Sequence, residues 1–576
     1  MNHQKSSDKP IKLSDGTTLD PFIEKLLFQR GVSGEETIKR FLEPKLSDLP
    51  SPFLMKDMDF AVKTVEKALK AEQQILIWGD YDVDGTTATA LLLKFFHSIG
   101  CKADYYIPNR LTEGYGLQKE ALEKITRNES HVEKVLITVD NGISAHEAVE
   151  LATKLGYKTI ITDHHTPPPT RVPADAVLNP KQKGCDFPDK NLAGVGVAFY
   201  LAMGIRSHLV KIGFFKDRQE APNLKLLLDL VGIGTVADMV PLEGINRTLV
   251  KAGMETLVQE SNKGLTALCR RTNLDCRFIR SEDISFQIAP KINAAGRLGQ
   301  AGRAIHLFLA ESNKEALGIA NDLVKNNEKR KNINIKDFIK AIDDISCVES
   351  NATSTIVVAG DYHVGVAGIV ASNLVEKYKK PSVVLCGHEG DVLKGSARSV
   401  QGVDLYQALE ACQDVLINFG GHKMAGGMSL SKDNLEEFRQ LFDKAVYSQN
   451  NGKPIEYTDK IDANIAISEL FTRELLKQLH LLEPFGQGNP QPIFRDTHTT
   501  LTQLSSIGKD KKHLRMGFIN GESKIKIKGI GFGLGELEAE CKANRHKEIL
   551  YTPGINFFKG KRSWQVRVTS ITFLNQ

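Results

Sequence analysis

The segment Gly79–Gly85 carries three carboxylates at alternating positions, Asp80, Asp82 and Asp84. Alternate residues of an extended chain lie on one face, and like charges on one face repel one another unless a cation lies among them. An EF-hand calcium loop is the nearest alternative, but its twelfth position counted from Asp80 is Leu91, where such a loop needs a glutamate. The segment therefore predicts a site for a divalent metal ion.

Further residues of metal-binding type follow apolar stretches later in the chain. Asp140 and Asp163 each end such a stretch, and His164 and His165 come directly after Asp163. Asp238 lies in an apolar context, where an unpaired charge would be costly. Carboxylates and imidazoles without thiolates favour hard cations, so we predict Mn²⁺ or Mg²⁺. The number of acids predicts two ions, a centre able to hydrolyse phosphoesters.

Alternating strands and helices must position these residues. The predicted strands are 75–78, 134–140 and 157–163, and the predicted helices between and after them are 86–99 and 145–155. Such alternation is typical of a parallel α/β sheet, and ligands of these sheets bind at the carboxyl ends of the strands. Because three apolar runs end directly in Asp80, Asp140 and Asp163, we expect these acids to meet at one edge of the sheet.

The rest of the chain predicts a second lobe and a separate β-rich module. Residues 311–345 contain no proline and only Gly318 as glycine, which predicts one or two long helices that bridge two lobes. A second α/β unit is predicted from Ser354 to about Tyr447. From about Ile455 the chain shows short alternating runs that predict half-exposed strands of a small barrel.

Charge is unevenly distributed along the 576 residues, which are too many for one hydrophobic core of at most ~250–300 residues. Residues 451–576 contain 19 Lys and Arg against 13 Asp and Glu, whereas the other residues contain 56 against 57. A basic C-terminal block suits a polyanion-binding module, although a merely solvated basic surface would carry the same charge. The basic and aromatic candidates for this role are Lys511, Lys512, Arg515, Lys524, Lys526, Lys528, Lys561, Arg562, Arg567, Phe557, Phe558 and Trp564.

Cysteine usage and hydropathy exclude several other classes. The eight cysteines are scattered without a CxxC pair, so a zinc ribbon is not expected. No run approaches the ~18 apolar residues of a membrane span, and the polar N-terminus lacks the apolar core of a signal peptide. We therefore expect a cytoplasmic protein that does not contact membranes.

Four motifs carry a family resemblance. DYDVDG (80–85), VDNG (139–142), DHH (163–165) and GTVADMVPL (234–242) resemble the motifs of the DHH phosphoesterase superfamily in order and spacing. Segments 363–372, 395–399 and 420–422 resemble its associated DHHA1 domain. The segment LEPFGQGNP (482–490) resembles the start of the oligonucleotide-binding barrel of the RecJ family within that superfamily. The N-terminal segment is similar as well, so the resemblance covers nearly the whole chain.

The resemblance implies roles for individual residues. The implied metal ligands are Asp80, Asp82, Asp84, Asp140, His164 and Asp238, with Asp140 as a bridge between two ions. The implied catalytic residues are His165, which would contact the scissile phosphate or protonate the leaving oxygen, Asp163, which would orient an imidazole, and Arg297. The implied phosphate-binding residues are Arg110, Asn293, Arg297, Ser396, Arg398 and His422. Tyr115 would stack on a base.

The resemblance also implies an architecture and an activity. The fold would be α/β, with two lobes of parallel or mixed sheet, DHH and DHHA1, joined by long helices and followed by an OB-fold β-barrel. The implied segments are an N-terminal helical segment 1–55, a DHH catalytic domain 56–310, a helical connector 311–350, a DHHA1 domain 351–450 and an OB-fold domain 455–576.

The implied activity is hydrolysis of single-stranded DNA from the 5′ end by two-metal catalysis, releasing 5′-mononucleotides in DNA repair and recombination. The implied partners are single-stranded DNA, a helicase and a single-strand-binding protein, and the implied state is a monomer. Two alternatives remain at this point: a hydrolase of oligonucleotides or small phosphoesters, and a non-catalytic single-strand-binding scaffold.

Overall fold

The computed structural model describes residues 10–126, 134–346, 354–387, 390–449, 460–498, 501–519, 526–544, 547–558 and 561–573. Two compact units are formed, one by residues 50–238 and 252–457 and the other by residues 1–49, 239–251 and 458–576. Of the basic and aromatic candidates named above, Lys524 lies outside the described residues, as do the side chains of Phe557, Phe558, Lys561 and Arg562.

The helices of the described residues are α1 Pro21–Gln29, α2 Glu35–Leu42, α3 Met58–Lys70, α4 Val83–Ser98, α5 Lys119–Thr126, α6 His146–Lys154, α7 Gly194–Lys211, α8 Leu228–Asp238, α9 Gly244–Val258, α10 Lys263–Arg271, α11 Ser281–Asp283, α12 Ala289–Arg297, α13 Gly302–Leu309, α14 Asn313–Ser346, α15 Ala367–Tyr378, α16 Leu405–Glu410, α17 Leu435–Gln449, α18 Ile467–Leu470, α19 Arg473–Leu481 and α20 Glu538–Ala543.

The strands of the described residues are β1 Ile75–Trp78, β2 Ala103–Tyr106, β3 Lys134–Val139, β4 Tyr157–Thr162, β5 Ala176–Leu178, β6 Ile356–Gly360, β7 Ser382–Cys386, β8 Val392–Arg398, β9 Leu416–His422, β10 Ala425–Ser431, β11 Ala463–Asn464, β12 Phe494–Asp496, β13 Leu501–Ile507, β14 His513–Ile519, β15 Lys526–Gly531, β16 Lys547–Phe558 and β17 Lys561–Phe573.

The first lobe is built on a five-stranded parallel sheet in the order β2-β1-β3-β4-β5, as the strand–helix alternation predicts. Strands β3 and β4 are almost entirely buried and rich in β-branched residues, as expected for a parallel sheet covered on both faces. Helix α4 is buried nearly all round and packs against α7 and α8. The carboxyl ends of β1, β3 and β4 therefore lie side by side.

Helix α4 begins three residues earlier than the predicted helix 86–99. The side chain of Asp82 is its N-cap and accepts a hydrogen bond from the Gly85 amide at 3.0 Å, which satisfies an otherwise unpaired donor of the first turn. Asp84 consequently lies in the first helical turn. The expectation that three carboxylates share one face of an extended segment was therefore wrong, because capping by Asp82 turns the chain into a helix.

The second lobe follows the single 34-residue helix α14, which confirms the predicted long helical connection. Its sheet has the order β6-β7-β8-β10-β9. Strands β6 and β7 are parallel, and the other neighbouring pairs are antiparallel, so the predicted mixed sheet is confirmed. One face of β8, β10 and β9 contributes Leu393, Ala397, Met428 and Leu430 to a hydrophobic core. The opposite face of these strands, here called the polar face, carries Ser396 and Arg398 of β8 and His422 of β9.

The other compact unit contains a seven-stranded sheet in the order β11-β12-β16-β17-β15-β14-β13. Its core combines residues of the sheet, such as Phe494 and Tyr551, with residues of α1 and α2, such as Leu27 and Leu42. Arg247 is 1% exposed and donates hydrogen bonds to the carbonyls of Phe41 and of the 481–484 segment. The N-terminal helices and the C-terminal strands thus share one core. Among the residues that the structure describes, no helix is both long and apolar enough to cross a membrane.

Candidate active site

The carboxyl edge of the first sheet brings the predicted acids and histidines together. Three groups of potential ligand atoms each lie within 4.8 Å of one another. The groups are Asp80, Asp82 and Asp140; Asp84, His164 and Asp238; and Asp140, His164 and His165. Asp140 and His164 each belong to two of these groups, so the structure places them at the middle of a continuous centre.

Helix α7 holds the carboxylate of Asp84 at its N-terminus. The amides of Gly194 and Val195 donate hydrogen bonds to the two oxygens of Asp84 at 2.6 and 2.8 Å, an arrangement that helix N-termini favour for anions. Glycine at position 194 leaves room for the Asp140 side chain, because a Cβ there would lie 2.7 Å from it. The start of α7 therefore contacts two acids of the centre at once.

Several buried polar atoms of the centre make no hydrogen bond within the described residues. They are Asp80 Oδ1, Asp140 Oδ1, Asp238 Oδ2 and both ring nitrogens of His164. His164 Nε2 lies 3.2 Å from Asp140 Oδ1 and 3.6 Å from Asp238 Oδ2. Buried polar atoms are normally satisfied, so converging oxygens and imidazole nitrogen without partners fit a divalent cation, and the donor set fits Mn²⁺ or Mg²⁺.

Burial and mutual repulsion raise the pKa values of these acids. Burial first, and then the Asp238 charge, raise the pKa of Asp84 to about 8. Burial and the Asp82 charge raise the pKa of Asp238 to about 7 and that of Asp80 well above its usual value. Burial also raises the pKa of Asp140, with Asp84 and Asp82 adding to it. Such a cluster is stabilised in its charged form only when positive charge lies among the carboxylates.

His164 and His165 have opposite electrostatic surroundings. Burial and the neighbouring His165 lower the pKa of His164, which keeps its imidazole neutral, as metal binding requires. Burial disfavours the charged form of His165 too, but a 2.7 Å hydrogen bond between its Nδ1 and Asp163 Oδ1 outweighs burial and raises the pKa of His165 to about 9. His164 is therefore suited to bind a cation and His165 to carry a proton.

The carboxylate of Asp163 is fully occupied by protein donors. Its Oδ1 accepts hydrogen bonds from the amides of His164 and His165 and from the His165 ring, and its Oδ2 accepts the Ile143 amide at 2.9 Å. Burial alone would raise the pKa of Asp163, but these bonds and the histidine charges lower it to about 2. Asp163 thus orients the imidazole of His165, as expected of a positioning residue.

Three arginines form a positive cluster beside the acids. Arg110 lies over the ring of Tyr81, with its guanidinium carbon 4.9 Å from the ring centroid. Arg297 ends helix α12 and donates through Nη1 to the Gly365 carbonyl at 3.0 Å. Burial first, and then Arg110 and Arg398, lower the pKa of Arg297 to about 9. Like charges held this close favour a bound polyanion, and guanidinium forks match phosphate oxygens.

The polar face of the second sheet carries the remaining predicted phosphate ligands. Arg398 pairs in register with Ala425, which pairs with His422 on the next strand. Ser396 precedes Arg398 by two residues, so it lies on the same face of β8. The rings of His422 and His165 are nearly parallel with centroids 6.3 Å apart, which joins this face to the acidic centre. Asn293 is half-buried on α12, one helical turn before Arg297.

Tyr115 stands at the rim of the centre. Its hydroxyl donates to the Asp140 carbonyl at 2.9 Å and lies 3.5 Å from the ring nitrogens of His165. The residue remains 44% exposed, and its ring meets that of Tyr81 edge-on at 6.2 Å. One edge of Tyr115 is thus anchored to the centre while part of the ring stays open for a stacking partner.

Sequence reasoning missed several residues that shape the site. Gly194 and Val195 hold Asp84, and the only signal for them was a glycine at the start of an apolar helix. Asn141 was named only within the motif VDNG, yet its buried side chain donates hydrogen bonds to the carbonyls of Trp78 and Val139 and so connects the ends of two strands. Tyr81 lay between two predicted ligands and gave no signal for its contact with Arg110.

Three family models match the chain. The model of the DHH family, N-terminal domain, matches residues 74–235, that of the DHHA1 domain matches residues 351–448, and that of the RecJ OB domain matches residues 461–570. The first two cover the two lobes of the compact unit that contains the site. The third covers the C-terminal strands.

Two relatives match across almost the whole chain. The single-stranded-DNA-specific exonuclease RecJ of Escherichia coli (strain K12) is 34% identical over 567 residues, which are 96% of this chain and 96% of the relative. The enzyme of the same name from Bacillus subtilis (strain 168) is 34% identical over 562 residues, 97% of this chain and 69% of the relative.

Solved structures agree with these sequence matches. The crystal structure of RecJ from Thermus thermophilus in complex with Mn²⁺ superimposes with a TM-score of 0.79 and 26% identity, covering 97% of this chain and 76% of that one. A crystal structure of exonuclease RecJ bound to manganese superimposes with a TM-score of 0.57 and 31% identity, covering 68% of this chain and 94% of that one.

Proposed function

The chain belongs to the RecJ family of single-stranded-DNA-specific exonucleases, and we propose that it degrades single-stranded DNA from the 5′ end to 5′-mononucleotides. It is a metal-dependent exonuclease that uses Mn²⁺ or Mg²⁺. One observation carries the proposal. The buried acids and His164 have oxygens and nitrogens without hydrogen-bond partners, and beside them lies a cluster of arginines that form no salt bridge to a carboxylate among the described residues.

We assign the metal ligands to six residues that could hold two ions. They are Asp80, Asp82, Asp84, Asp140, His164 and Asp238. Asp140 and His164 each belong to two of the three ligand groups, and of the two only the Asp140 carboxylate has two oxygens, so Asp140 would be the ligand that both ions share. Divalent ions at this centre supply Lewis acidity, which lowers the pKa of water and neutralises negative charge on the phosphate.

The protein's own side chains orient the substrate and handle the proton. His165, kept protonated at neutral pH by Asp163, would donate a hydrogen bond to the scissile phosphate or a proton to the leaving oxygen. Arg297 would contact the same phosphate. Arg110, Ser396, Arg398 and His422 would hold the terminal phosphate of the strand, with Asn293 beside Arg297, and Tyr115 would stack on a base.

Polarity follows from where the terminal phosphate binds. A phosphate held on the face of β8 and β9, one nucleotide from the metal centre, would admit the 5′ end and leave the 3′ part of the strand outside. The C-terminal unit matched by the RecJ OB domain would hold that outer part by charge and stacking.

We further propose that the five sequence segments named above are the domains of the chain and that the protein is a cytoplasmic monomer. Its role would be in DNA repair and recombination. Its partners would be a helicase and a single-strand-binding protein.

The test is digestion of a long strand with a 5′ phosphate and a fluorescent 3′ end in the presence of Mn²⁺. We expect unlabelled 5′-mononucleotides from the first time point, while the labelled fragment shortens. Equal protection by a blocked 3′ end would contradict the polarity. Cleavage of dinucleotides with long strands left intact would instead support a small-substrate hydrolase, and strand binding without any cleavage would support a scaffold.

A further inference from the structure

The loop 361–366 connects β6 to α15 and provides the contact that orients Arg297. The Gly365 carbonyl accepts the Arg297 Nη1 hydrogen bond at 3.0 Å. Residue 365 must be glycine, because a Cβ there would lie 2.3 Å from the Arg297 carbonyl. The loop belongs to the second lobe and Arg297 to the first, so the position of this guanidinium depends on how the loop is held.

Helix α14 holds the loop through three side chains on one of its faces. Asp337 Oδ2 accepts the backbone amide of His363 at 2.9 Å, and Lys340 Nζ donates to the Asp361 carbonyl at 3.0 Å. The Asp344 carboxylate accepts the Tyr362 hydroxyl. Spacings of three and four residues place 337, 340 and 344 on the same side of a helix.

The contacts continue inside the loop towards Gly365. The Tyr362 ring is fully buried and lies under the Lys340 ammonium, 5.0 Å from the ring centroid. His363 Nδ1 accepts the Gly365 amide at 3.0 Å, which sets the plane of the neighbouring peptide. Asp337 is 6% exposed, and among the described residues its carboxylate accepts one hydrogen bond, from the amide of His363. Burying a charged carboxylate costs free energy, and aspartate is rarely buried in proteins. The burial of Asp337 against one backbone amide therefore indicates a specific role for this contact.

We propose that Asp337 is a positioning residue for phosphate binding and that Lys340 and Asp344 assist it. Through the loop residues His363 and Gly365, Asp337 holds the guanidinium of Arg297 in the orientation that receives a substrate phosphate. The arginine cluster repels itself, because Arg297 lies close to Arg110 and Arg398. Without the Gly365 carbonyl as acceptor, the Arg297 side chain would turn away from the other two. The loop carbonyl opposes this repulsion and leaves the remaining N–H donors of Arg297 for substrate.

This inference rests on the proposed role of Arg297 and is tested by a double-mutant cycle. We expect Asp337→Ala to raise KM for a 5′-phosphorylated strand about tenfold and to change kcat less than about threefold, because an interaction equal in ground and transition states changes KM alone. Asp337→Asn keeps an acceptor oxygen and should stay within about twofold of wild type. In an Arg297→Ala background, Asp337→Ala should have no further effect on KM.

Two further variants separate positioning from general stability. Tyr362→Phe removes only the hydroxyl bound to Asp344, so it should raise KM less than Asp337→Ala and likewise lose its effect in the Arg297→Ala background. Lys336→Ala changes an exposed neighbour on α14 and should behave as wild type. Thermal unfolding of each variant identifies those that fail to fold.

The outcomes distinguish this proposal from the proposed function. Absence of exonuclease activity in the wild-type protein would overturn the function itself. Wild-type kinetics in Asp337→Ala, or an undiminished effect of Asp337→Ala in the Arg297→Ala background, would overturn the positioning role and leave the function intact. If Asp337→Ala does not fold, the same two outcomes for Tyr362→Phe decide the question.

Discussion

The two sheets of the catalytic unit present their functional residues in opposite ways. The first, parallel sheet collects acids and His164 at buried strand ends, where Asp80 and Asp84 are each 1% exposed. The second, mixed sheet presents the half-buried Ser396 and Arg398 and the exposed His422 on its polar face. A parallel sheet must be covered on both faces, whereas antiparallel strands can leave one face to solvent.

This difference in burial indicates that the two lobes bind different parts of the reacting system, metal ions in the first and substrate in the second. Buried carboxylates repel one another strongly and therefore bind small, highly charged cations. A partly buried face of arginine, serine and histidine suits a larger anion that enters from solvent, such as the end of a nucleic acid. We infer that changes at the acids and at His164 of the first lobe affect the chemical step and metal binding, and that changes at the arginines and on the polar face of the second lobe affect substrate binding.

The largest expected effect is the loss of chemistry in His164→Ala. His164 has two buried ring nitrogens without a hydrogen bond within the described residues and lies between Asp140 and Asp238. We expect kcat to fall more than about 100-fold, with strand affinity within about twofold. Gel-based digestion and fluorescence anisotropy measure the two quantities. Asp82→Ala should behave in the same way, and full activity in either variant would contradict the metal assignment.

A smaller effect is expected from Gly194→Ala, which adds one methyl group behind the centre. Its Cβ would lie 2.7 Å from the Asp140 side chain, so Asp140 must move. We expect the Mn²⁺ concentration for half-maximal activity to rise about tenfold and the protein to lose about 1–3 kcal/mol of stability. Titration of activity with Mn²⁺ provides the measurement. Gly318→Ala is the control, because a Cβ there meets nothing within 4 Å; equal metal dependence of both variants would contradict the prediction.

The second lobe should show the reverse kinetic pattern. Arg398 lies beside Arg297 and the start of α15 and has no carboxylate partner among the interactions that the structure describes. We expect Arg398→Ala to raise KM about tenfold for strands with a 5′ phosphate, with kcat nearly unchanged. Arg398→Lys should recover part of the affinity, because a lysine keeps the charge without the fork. A fall in kcat with unchanged KM would contradict the inference that this face of the second lobe acts in substrate binding.

The smallest effect concerns a buried acid of the first lobe that lies outside the centre. Burial raises the pKa of Asp229 to about 6, although the Leu230 amide and Lys94 oppose burial. A folded-state pKa above the unfolded value means that stability falls as pH rises from about 4 to about 6. In Asp229→Asn, we expect the fall in the free energy of unfolding across this pH range to be about 1–3 kcal/mol smaller than in wild type.

Urea unfolding of wild type and Asp229→Asn at pH 4.5 and pH 7, with Mn²⁺ absent, measures that difference. Mn²⁺ should then raise the melting temperature of both proteins equally, because Asp229 belongs to none of the ligand groups that the structure gives. A smaller Mn²⁺ shift in the variant would mean that buried acids throughout the lobe share in metal binding.

Much of this arrangement could be predicted along the chain. The strands before Asp80, Asp140 and Asp163 were predictable because apolar runs of strand length mark a buried sheet. The long helix α14 was predictable because its segment lacks helix-breaking residues. The start of α4 was not predictable. After β1 the chain could either continue as an extended segment or begin a helix with Asp82 as its N-cap, and the packing of α4 against α7 and α8 favours the helix.

The kind of chemistry is contained in the sequence, because ligand preference depends on residue type and because parallel strands deliver their terminal residues to one edge. The division of labour among those residues depends on contacts between distant segments. Asp84 receives the amides of residues 110 and 111 positions away, and Arg297 meets the carbonyl of Gly365 from the other lobe. Asp163 has the same side chain as Asp140, yet both of its oxygens accept hydrogen bonds from protein donors, whereas Asp140 Oδ1 accepts none from the residues that the structure describes. Only tertiary packing decides which carboxylate has protein partners and which is left to a cation.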